Sequence, residues 1–297
     1  MSAHQRCGTV AVMGLPNAGK STLLNALIQA SVAAVSSKAQ TTRFQVRGIV
    51  TDGDAQIIII DTPGLLKHAS DRLERAMLRA SQSAPLEADI ILAIIDVTRG
   101  KKQLDAVLAH IVEDNPPRLW VVLNKIDKVP RESLLEWAAL YADRAPEIFM
   151  ISATREDGTA DILKALADAM PERPWLFDQE TLTTLSTRLW AAEVTREVLL
   201  HALGQEVPHK LYVETETVDD AAGGALRIGQ VIHVADKAHK KIVLGQGGAM
   251  IKKISTTARE KMTERLQRKI HLFLYVRHTA DWAEKSDFYR MTGLPLS

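Results

Sequence analysis

From Gly8 to Met170 the chain alternates short runs rich in Ile and Val with longer amphipathic stretches. Gly8–Met13, Gln45–Thr51, Ala55–Ile60, Ile90–Asp96, Arg118–Leu123 and Glu147–Ile151 have the length and β-branched content of buried strands. Between the second and third, Asp52-Gly53-Asp54 is a tight-turn sequence and predicts an antiparallel hairpin. The other connections carry apolar residues at helical spacing, over Lys20–Gln29, Asp71–Ala84, Lys102–Glu113, Glu132–Ala142 and Thr159–Met170. Strands joined by helices of this length predict an α/β fold with a mostly parallel sheet covered on both faces.

Pro171 and Pro174 break that rhythm, and Pro171–Thr183 reads as a connection. Beyond it the pattern predicts a helix over Leu185–Leu203, a strand over Leu211–Thr217, a turn at Asp219–Gly224 and a strand over Ala225–Ala235. Helical stretches Ala238–Leu244 and Ala249–Arg268 then flank Gly245–Gly248, and Ile270–Arg277 alternates like a last strand. A chain of 297 residues suits two domains. The expected division is an α/β domain over 1–172, a linker over 173–181 and an α+β domain over 182–297.

Composition narrows the class. Hydrophobic residues make up 46% and charged residues 25%, enough for two cores. Cys7 is the single cysteine, which excludes an intrachain disulfide framework and a Cys-based zinc site. The longest apolar runs, Ile57–Ile60 and Ile90–Ile95, fall far short of the roughly 20 residues that span a bilayer. Met1–Arg6 has no signal-peptide core, so a cytoplasmic protein is expected. The net charge of +1 conceals an asymmetry: residues 237–277 carry eleven Lys and Arg against Glu260 and Glu264, a net +9, leaving −8 for the rest.

Gly14-Leu15-Pro16-Asn17-Ala18-Gly19-Lys20-Ser21 matches G-x-x-x-x-G-K-[ST] between the first strand and first helix. Such a loop turns backbone N–H groups toward phosphate oxygens. Lys20 is expected at the β- and γ-phosphates and the Ser21 hydroxyl at Mg²⁺. Gly14, Asn17, Ala18, Gly19, Lys20, Ser21 and Thr22 are the phosphate-binding candidates.

Asn124-Lys125-Ile126-Asp127 ends the fifth strand, where parallel sheets bind ligands. An Asp127 carboxylate there accepts from N1–H and the exocyclic amine of guanine, a pair of donors that adenine lacks. Ser152-Ala153-Thr154 ends the next strand, and the Ala153 N–H is expected at the guanine O6. Asp61-Thr62-Pro63-Gly64 ends the third strand, placing Asp61 near Mg²⁺ through water and the Gly64 N–H at a third phosphate. In the polar stretch Gln40-Thr41-Thr42-Arg43, Thr42 rather than Thr41 is expected to complete the Mg²⁺ shell. Loops of this kind are ordered by the γ-phosphate and released after hydrolysis.

In the basic segment, Gly245-Gln246-Gly247-Gly248 is a G-x-x-G turn between two helices, followed by a strand. KH domains clamp about four single-stranded nucleotides in this way. Lys240, Lys241, Lys252 and Lys253 are expected at phosphates, and Ile242, Val243, Ile251 and Ile254 are shared between groove floor and core. Strands ahead of the motif resemble the type II KH order. Tyr275 and Trp282 are expected to be buried rather than to stack on bases.

Together these motifs resemble the translation-factor-related GTPases, and among them the Era-type GTPases. The likeness rests on Gly14–Ser21, Lys38–Arg43, Asp61–Gly64, Asn124–Asp127 and Ser152–Thr154, and continues through Glu206-Val207-Pro208-His209 and Gly245–Gly248. It implies a Mg²⁺-dependent GTP-hydrolysing switch that binds the single-stranded 3′ region of 16S ribosomal RNA and assists maturation of the 30S subunit. A monomer is expected, and the resemblance also implies peripheral association with the inner membrane. The chain departs from Ras-like GTPases at Leu65, where many carry a water-orienting glutamine, so no general base can be named. Catalysis is left to Mg²⁺, Lys20, Thr42, the Gly64 N–H and Asn17. Asn17 occupies the place of a potassium-binding asparagine in related GTPases, and the reading that it only stabilises the loop stands equally. Two rivals remain: a membrane-associated cell-cycle signalling GTPase whose basic domain binds anionic lipid, and a non-catalytic RNA-binding scaffold. The glycine turn disfavours the first, and intact Lys20, Ser21 and Asp61 disfavour the second.

Overall fold

The computed structural model describes residues 5–38, 40–65, 69–110, 118–204 and 211–295. Six strands, β1 (Arg6–Gly14), β2 (Val46–Asp52), β3 (Ala55–Asp61), β4 (Ile90–Asp96), β5 (Arg118–Asn124) and β6 (Glu147–Ile151), form one sheet in the order β2-β3-β1-β4-β5-β6. The hairpin pairs β2 antiparallel to β3, and every other pairing is parallel. Helices α1 (Lys20–Ile28), α2 (Arg72–Ser83), α3 (Gln103–Leu108) and α4 (Arg131–Tyr141) lie in the connections between strands, and α5 (Thr159–Ala169) follows β6. All residues of β3 and β4 are buried, as strands covered on both faces must be. The register aligns Val12 with Asp61, Gly14 with Ile94, and Asn124 with both Asp96 and Ile151. The loops after β1, β3, β5 and β6 therefore leave the same edge of the sheet.

Within the described residues the chain divides into two compact units, one holding residues up to 33 and 42–184, the other 34–41 and 185–295. The stretch 173–181, expected as a linker, is docked onto the first unit. The buried amide of Gln56 accepts from the backbone N–H groups of Leu176 (2.9 Å) and Phe177 (3.1 Å) and donates to the Phe177 carbonyl (2.8 Å). Trp175 and Phe177 cover Cys7, Ile49 and Ile58, and the Ile49 N–H donates to the Leu182 carbonyl, capping the free edge of β2. Two prolines read as a break in helical rhythm, but extended chain with aromatic side chains docks readily along a sheet.

The second unit holds α6 (Thr187–Ala202), β7 (Leu211–Asp220), β8 (Leu226–Val234), α7 (Lys237–Leu244), α8 (Ala249–Leu266), β9 (Ile270–His278) and α9 (Ser286–Thr292). Its sheet has the order β7-β8-β9, with β7 antiparallel and β9 parallel to β8. The helix pair α7–α8 is thus the crossover of a parallel β8–β9 connection. Val194, Val198, Ile228, Ile232, Val243, Ile254 and Met262 belong to one core. Along β9, Leu272, Leu274 and Val276 face that core, while His271, Phe273, Tyr275 and Arg277 face outward. Tyr275 is consequently 64% exposed, against the expectation of burial, whereas Trp282 is buried at 3%. Helix α9 was not expected from the pattern.

No helix among the described residues is long and apolar enough to cross a membrane. Glu206–His209, part of the resemblance, and residues 111–117, which include the expected end of the Lys102–Glu113 helix, lie outside the described residues, as does Ala39.

His233 on β8 is buried, stacked on Tyr212 at 4.4 Å between ring centres, with Nε2 at 2.9 Å from Glu214 and Nδ1 at 2.9 Å from the Thr279 hydroxyl. Burial holds its pKa below the ordinary 6.5, against the pull of Glu214, with Arg277 and Lys285 adding a smaller downward push. Below 6.5 this imidazole therefore binds more proton in the unfolded chain than in the folded one, so its own contribution to stability falls as pH drops through that value. Denaturant unfolding of wild type and His233→Gln between about pH 5 and 7 isolates this contribution: as pH falls, the wild type should lose stability relative to the variant, and a pH-independent difference would remove His233 from the effect.

Candidate functional site

The first expected loop joins β1 to α1. Asn17 (φ 63°) and Gly19 (φ 104°) adopt left-handed backbone, and a Cβ on Gly19 would lie 2.1 Å from the Asn124 amide nitrogen. Only glycine fits there. The loop's carbonyls are gripped by cationic side chains: Lys20 Nζ donates to Gly14 O (3.1 Å) and Leu15 O (3.2 Å), and Lys125 Nζ donates to Asn17 O (2.7 Å). Carbonyls held in this way leave loop N–H groups available to an anion. Burial pushes the Lys20 ammonium down to about 8, with nearby Asp61 opposing that shift. A bound phosphate would supply the negative charge this site is short of.

Beside Lys20 stand three oxygens. Ser21 Oγ lies 2.6 Å from Asp61 Oδ2 and 2.8 Å from Thr42 Oγ1, and Thr42 Oγ1 is 3.2 Å from Asp61 Oδ2. Thr41 instead turns its hydroxyl to the Lys38 carbonyl at 2.7 Å. Asp61 is fully buried, and its Oδ1 has no hydrogen-bond partner among the described residues. Burial raises its pKa to about 6 despite Lys20, Ser21 and Thr42. An orphaned carboxylate oxygen beside two hydroxyls fits a hard cation such as Mg²⁺. Ser21, Thr42 and Asp61 are the residues that would hold it, and bound Mg²⁺ would neutralise phosphate charge.

Gly64 follows on the same edge, so close to the loop that a Cβ would lie 2.8 Å from Pro16 Cα. The next residue, Leu65, is buried at 3% in the core under the sheet, its N–H donating to the Gly14 carbonyl at 3.2 Å. Leu65 is a packing residue.

At the other end, Asn124 ties three segments together, donating to Ala18 O (2.8 Å) and accepting from the N–H groups of Lys125 (2.8 Å) and Ala153 (3.1 Å). The Ala153 N–H, expected at a guanine O6, is thus engaged by Asn124 in this structure because both strand ends converge there. Asp127 Oδ1 accepts from the Ser152 hydroxyl at 2.7 Å, and this bond holds its pKa below the usual carboxylate value. Ser152, singled out as a binding residue, therefore positions Asp127. Thr22 and Thr154 line a cavity of about 450 Å³ together with Asn25 and Ala153.

Sequence reasoning missed Asp96, a buried carboxylate at the end of β4 that pairs with Lys125 at 2.6 Å. Its position at the carboxyl end of an apolar strand was the available signal.

In the second unit, α7 ends at Gly245, whose φ of 71° and lack of space are both compulsory: a Cβ would meet Met250 N at 2.8 Å. Gln246 and Gly247 are exposed, and Gly247 and Gly248 also have positive φ. Lys241, Lys252 and Lys253 are exposed and Lys240 is half-buried around the turn. Of the four expected groove residues, Val243 and Ile254 are core, Ile251 is partly buried and Ile242 is 46% exposed. The arrangement presents backbone and ammonium groups to an anionic strand.

Two family models match the chain: one described as a 50S ribosome-binding GTPase over residues 9–125, and the KH domain over 206–283. The GTPase Era of Rhizobium meliloti is 44% identical over 97% of this chain and 93% of its own length. That of Agrobacterium fabrum is 42% identical over 97% of this chain and 92% of its own. Among solved structures, a point variant of Aquifex aeolicus Era bound to GDP·AlF4⁻ is 33% identical, with a TM-score of 0.91 covering 98% of this chain and 100% of the other. A crystal structure of Era with MgGDPNP and nucleotides 1506–1542 of 16S ribosomal RNA is 34% identical with a TM-score of 0.91, over 99% of this chain and 100% of the other. Likeness at this level over nearly the whole chain, with both family models matched, makes the chain a GTP-hydrolysing member of the Era family of GTPases.

Proposed function

We propose that this GTPase binds the single-stranded 3′ region of 16S ribosomal RNA through its KH unit and uses GTP hydrolysis to time a step of 30S subunit assembly. The carrying observation is the glycine turn Gly245–Gly248, which exposes Gln246 and Gly247 between lysine-bearing helices. The 16S segment bound by a relative of 34% identity supports the same partner for this chain. The nucleotide unit supplies the timing. Lys20 and the loop N–H groups hold the phosphates, Asp127 reads the base, and the Gly64 N–H is the donor that a third phosphate engages. The protein acts as a monomer in the cytoplasm. The decisive test is crosslinking to cellular RNA with sequencing of the bound fragments. Enrichment of the 16S 3′ end is expected, and an unenriched profile together with tight binding to anionic vesicles would favour the lipid-binding alternative.

We also propose that Asn17 helps to hold a potassium ion beside the phosphates, since Leu65 cannot orient water by hydrogen bonds. Hydrolysis should then run faster in potassium than in sodium at equal ionic strength, and Asn17→Ala should erase the difference while keeping GDP binding. Equal wild-type rates in the two salts would reduce Asn17 to a loop stabiliser.

A further inference from the structure

We propose that Arg99 is a positioning residue for GTP hydrolysis, holding the tip of the phosphate loop through the Pro16 carbonyl. Arg99 lies three residues beyond the end of β4, and its guanidinium makes two contacts. Nη1 donates to Pro16 O at 2.9 Å, and Nε lies 3.2 Å from Asp96 Oδ2. Asp96 is itself fixed, 1% exposed, with Oδ1 accepting from the Thr98 N–H (3.0 Å) and hydroxyl (2.6 Å). The same Oδ2 binds Lys125 Nζ at 2.6 Å. One buried carboxylate therefore anchors two cations, and each reaches on to a neighbouring loop carbonyl, Arg99 to Pro16 and Lys125 to Asn17.

With Lys20 on Gly14 and Leu15, four successive carbonyls of the loop are held by cationic side chains. The peptide geometry gives the third of these its consequence. A trans peptide is planar, with its C=O and N–H pointing in opposite directions. Holding the Pro16 carbonyl against Arg99 directs the Asn17 N–H the opposite way. Asn17 has a φ of 63°, left-handed backbone that asparagine adopts more readily than most residues, so the chain turns sharply right after the carbonyl that Arg99 holds. Pro16 is moreover the residue against which Gly64 rests, so the height of the tip sets where the Gly64 N–H sits. Donors placed in advance around developing charge matter more in the transition state than in ground-state binding. Arg99 is thus expected to act on turnover rather than on GDP affinity.

The Arg99 side chain is 42% exposed, so replacing it opens no core. In the full chain, Arg99→Ala should lower kcat on the order of tenfold, while GDP affinity stays within about twofold and thermal unfolding is unchanged. Arg99→Lys, which keeps a cationic donor on a shorter stem, should recover part of that loss. A kcat within about twofold of wild type in Arg99→Ala would overturn the proposal and leave a surface ion pair of little consequence. An unchanged kcat with GDP and GTP affinities falling together would also overturn it, showing general support of the nucleotide site. Arg99→Lys behaving like Arg99→Ala in kcat would remove the cationic donor from the explanation.

Discussion

Asp127→Asn is expected to weaken GTP binding roughly 30- to 150-fold and to let XTP bind in its place. Two guanine donors meet one carboxylate, and hydrogen bonds to a charged group contribute about 2–3 kcal/mol, at 1.4 kcal/mol per tenfold. An asparagine amide accepts one hydrogen and presents its own donor, which suits the carbonyl that xanthine carries at C2. The Ser152 hydroxyl, at 2.7 Å from the carboxylate, already fixes this side chain, so the substitution changes chemistry without freeing the rotamer. Calorimetric titration with GTP, XTP and ATP measures the exchange directly, and undiminished GTP affinity would remove Asp127 from the base site.

Gln246→Asp combined with Gly247→Asp is expected to lower affinity for a single-stranded 16S 3′ fragment by two orders of magnitude or more. Two carboxylates then stand where the phosphate backbone should run, flanked by Lys241, Lys252 and Lys253. Both positions are exposed, and nothing lies within 4 Å of a Cβ on Gly247. Asp tolerates left-handed backbone better than most residues, so the turn should survive. GTP hydrolysis measured without RNA serves as the control for folding. Wild-type binding should fall with salt at a slope of about −0.7 per neutralised phosphate, and the variant's slope should be shallower. Filter binding across a salt series reads both. Retained affinity would assign the RNA to the basic helix face instead of the glycine turn.

The nucleotide site was legible in the sequence because each of its parts needs a particular residue at a particular strand end. Gly19 has no room for a Cβ, Lys20 must reach two carbonyls, and Asp61 must sit between two hydroxyls. Asp96 and Arg99 escaped notice because an Asp closing a strand and an Arg three residues later read as an ordinary polar turn. Their meaning depends on the loop of residues 14–19, more than seventy positions earlier in the chain. Tyr275 was misjudged for the opposite reason. Its aromatic ring suggested burial, although the alternation with Leu272, Leu274 and Val276 already assigned it to the outward face. Helix α9, seven residues long, is too short for helical periodicity to register.

The docking of residues 173–184 bears on how the two halves of this chain can be separated. A nucleotide-binding fragment ending at residue 172 would strip Trp175 and Phe177 from Cys7, Ile49 and Ile58, and take from the amide of Gln56 the three backbone hydrogen bonds that it makes. It would also bare the outer strand β2, an invitation to edge-to-edge aggregation. A fragment carried on to Thr184 keeps all of these contacts, including the Thr183 hydroxyl on the Arg47 carbonyl. The natural cut therefore falls after Thr184, some ten residues beyond the prolines that announce a boundary in the sequence.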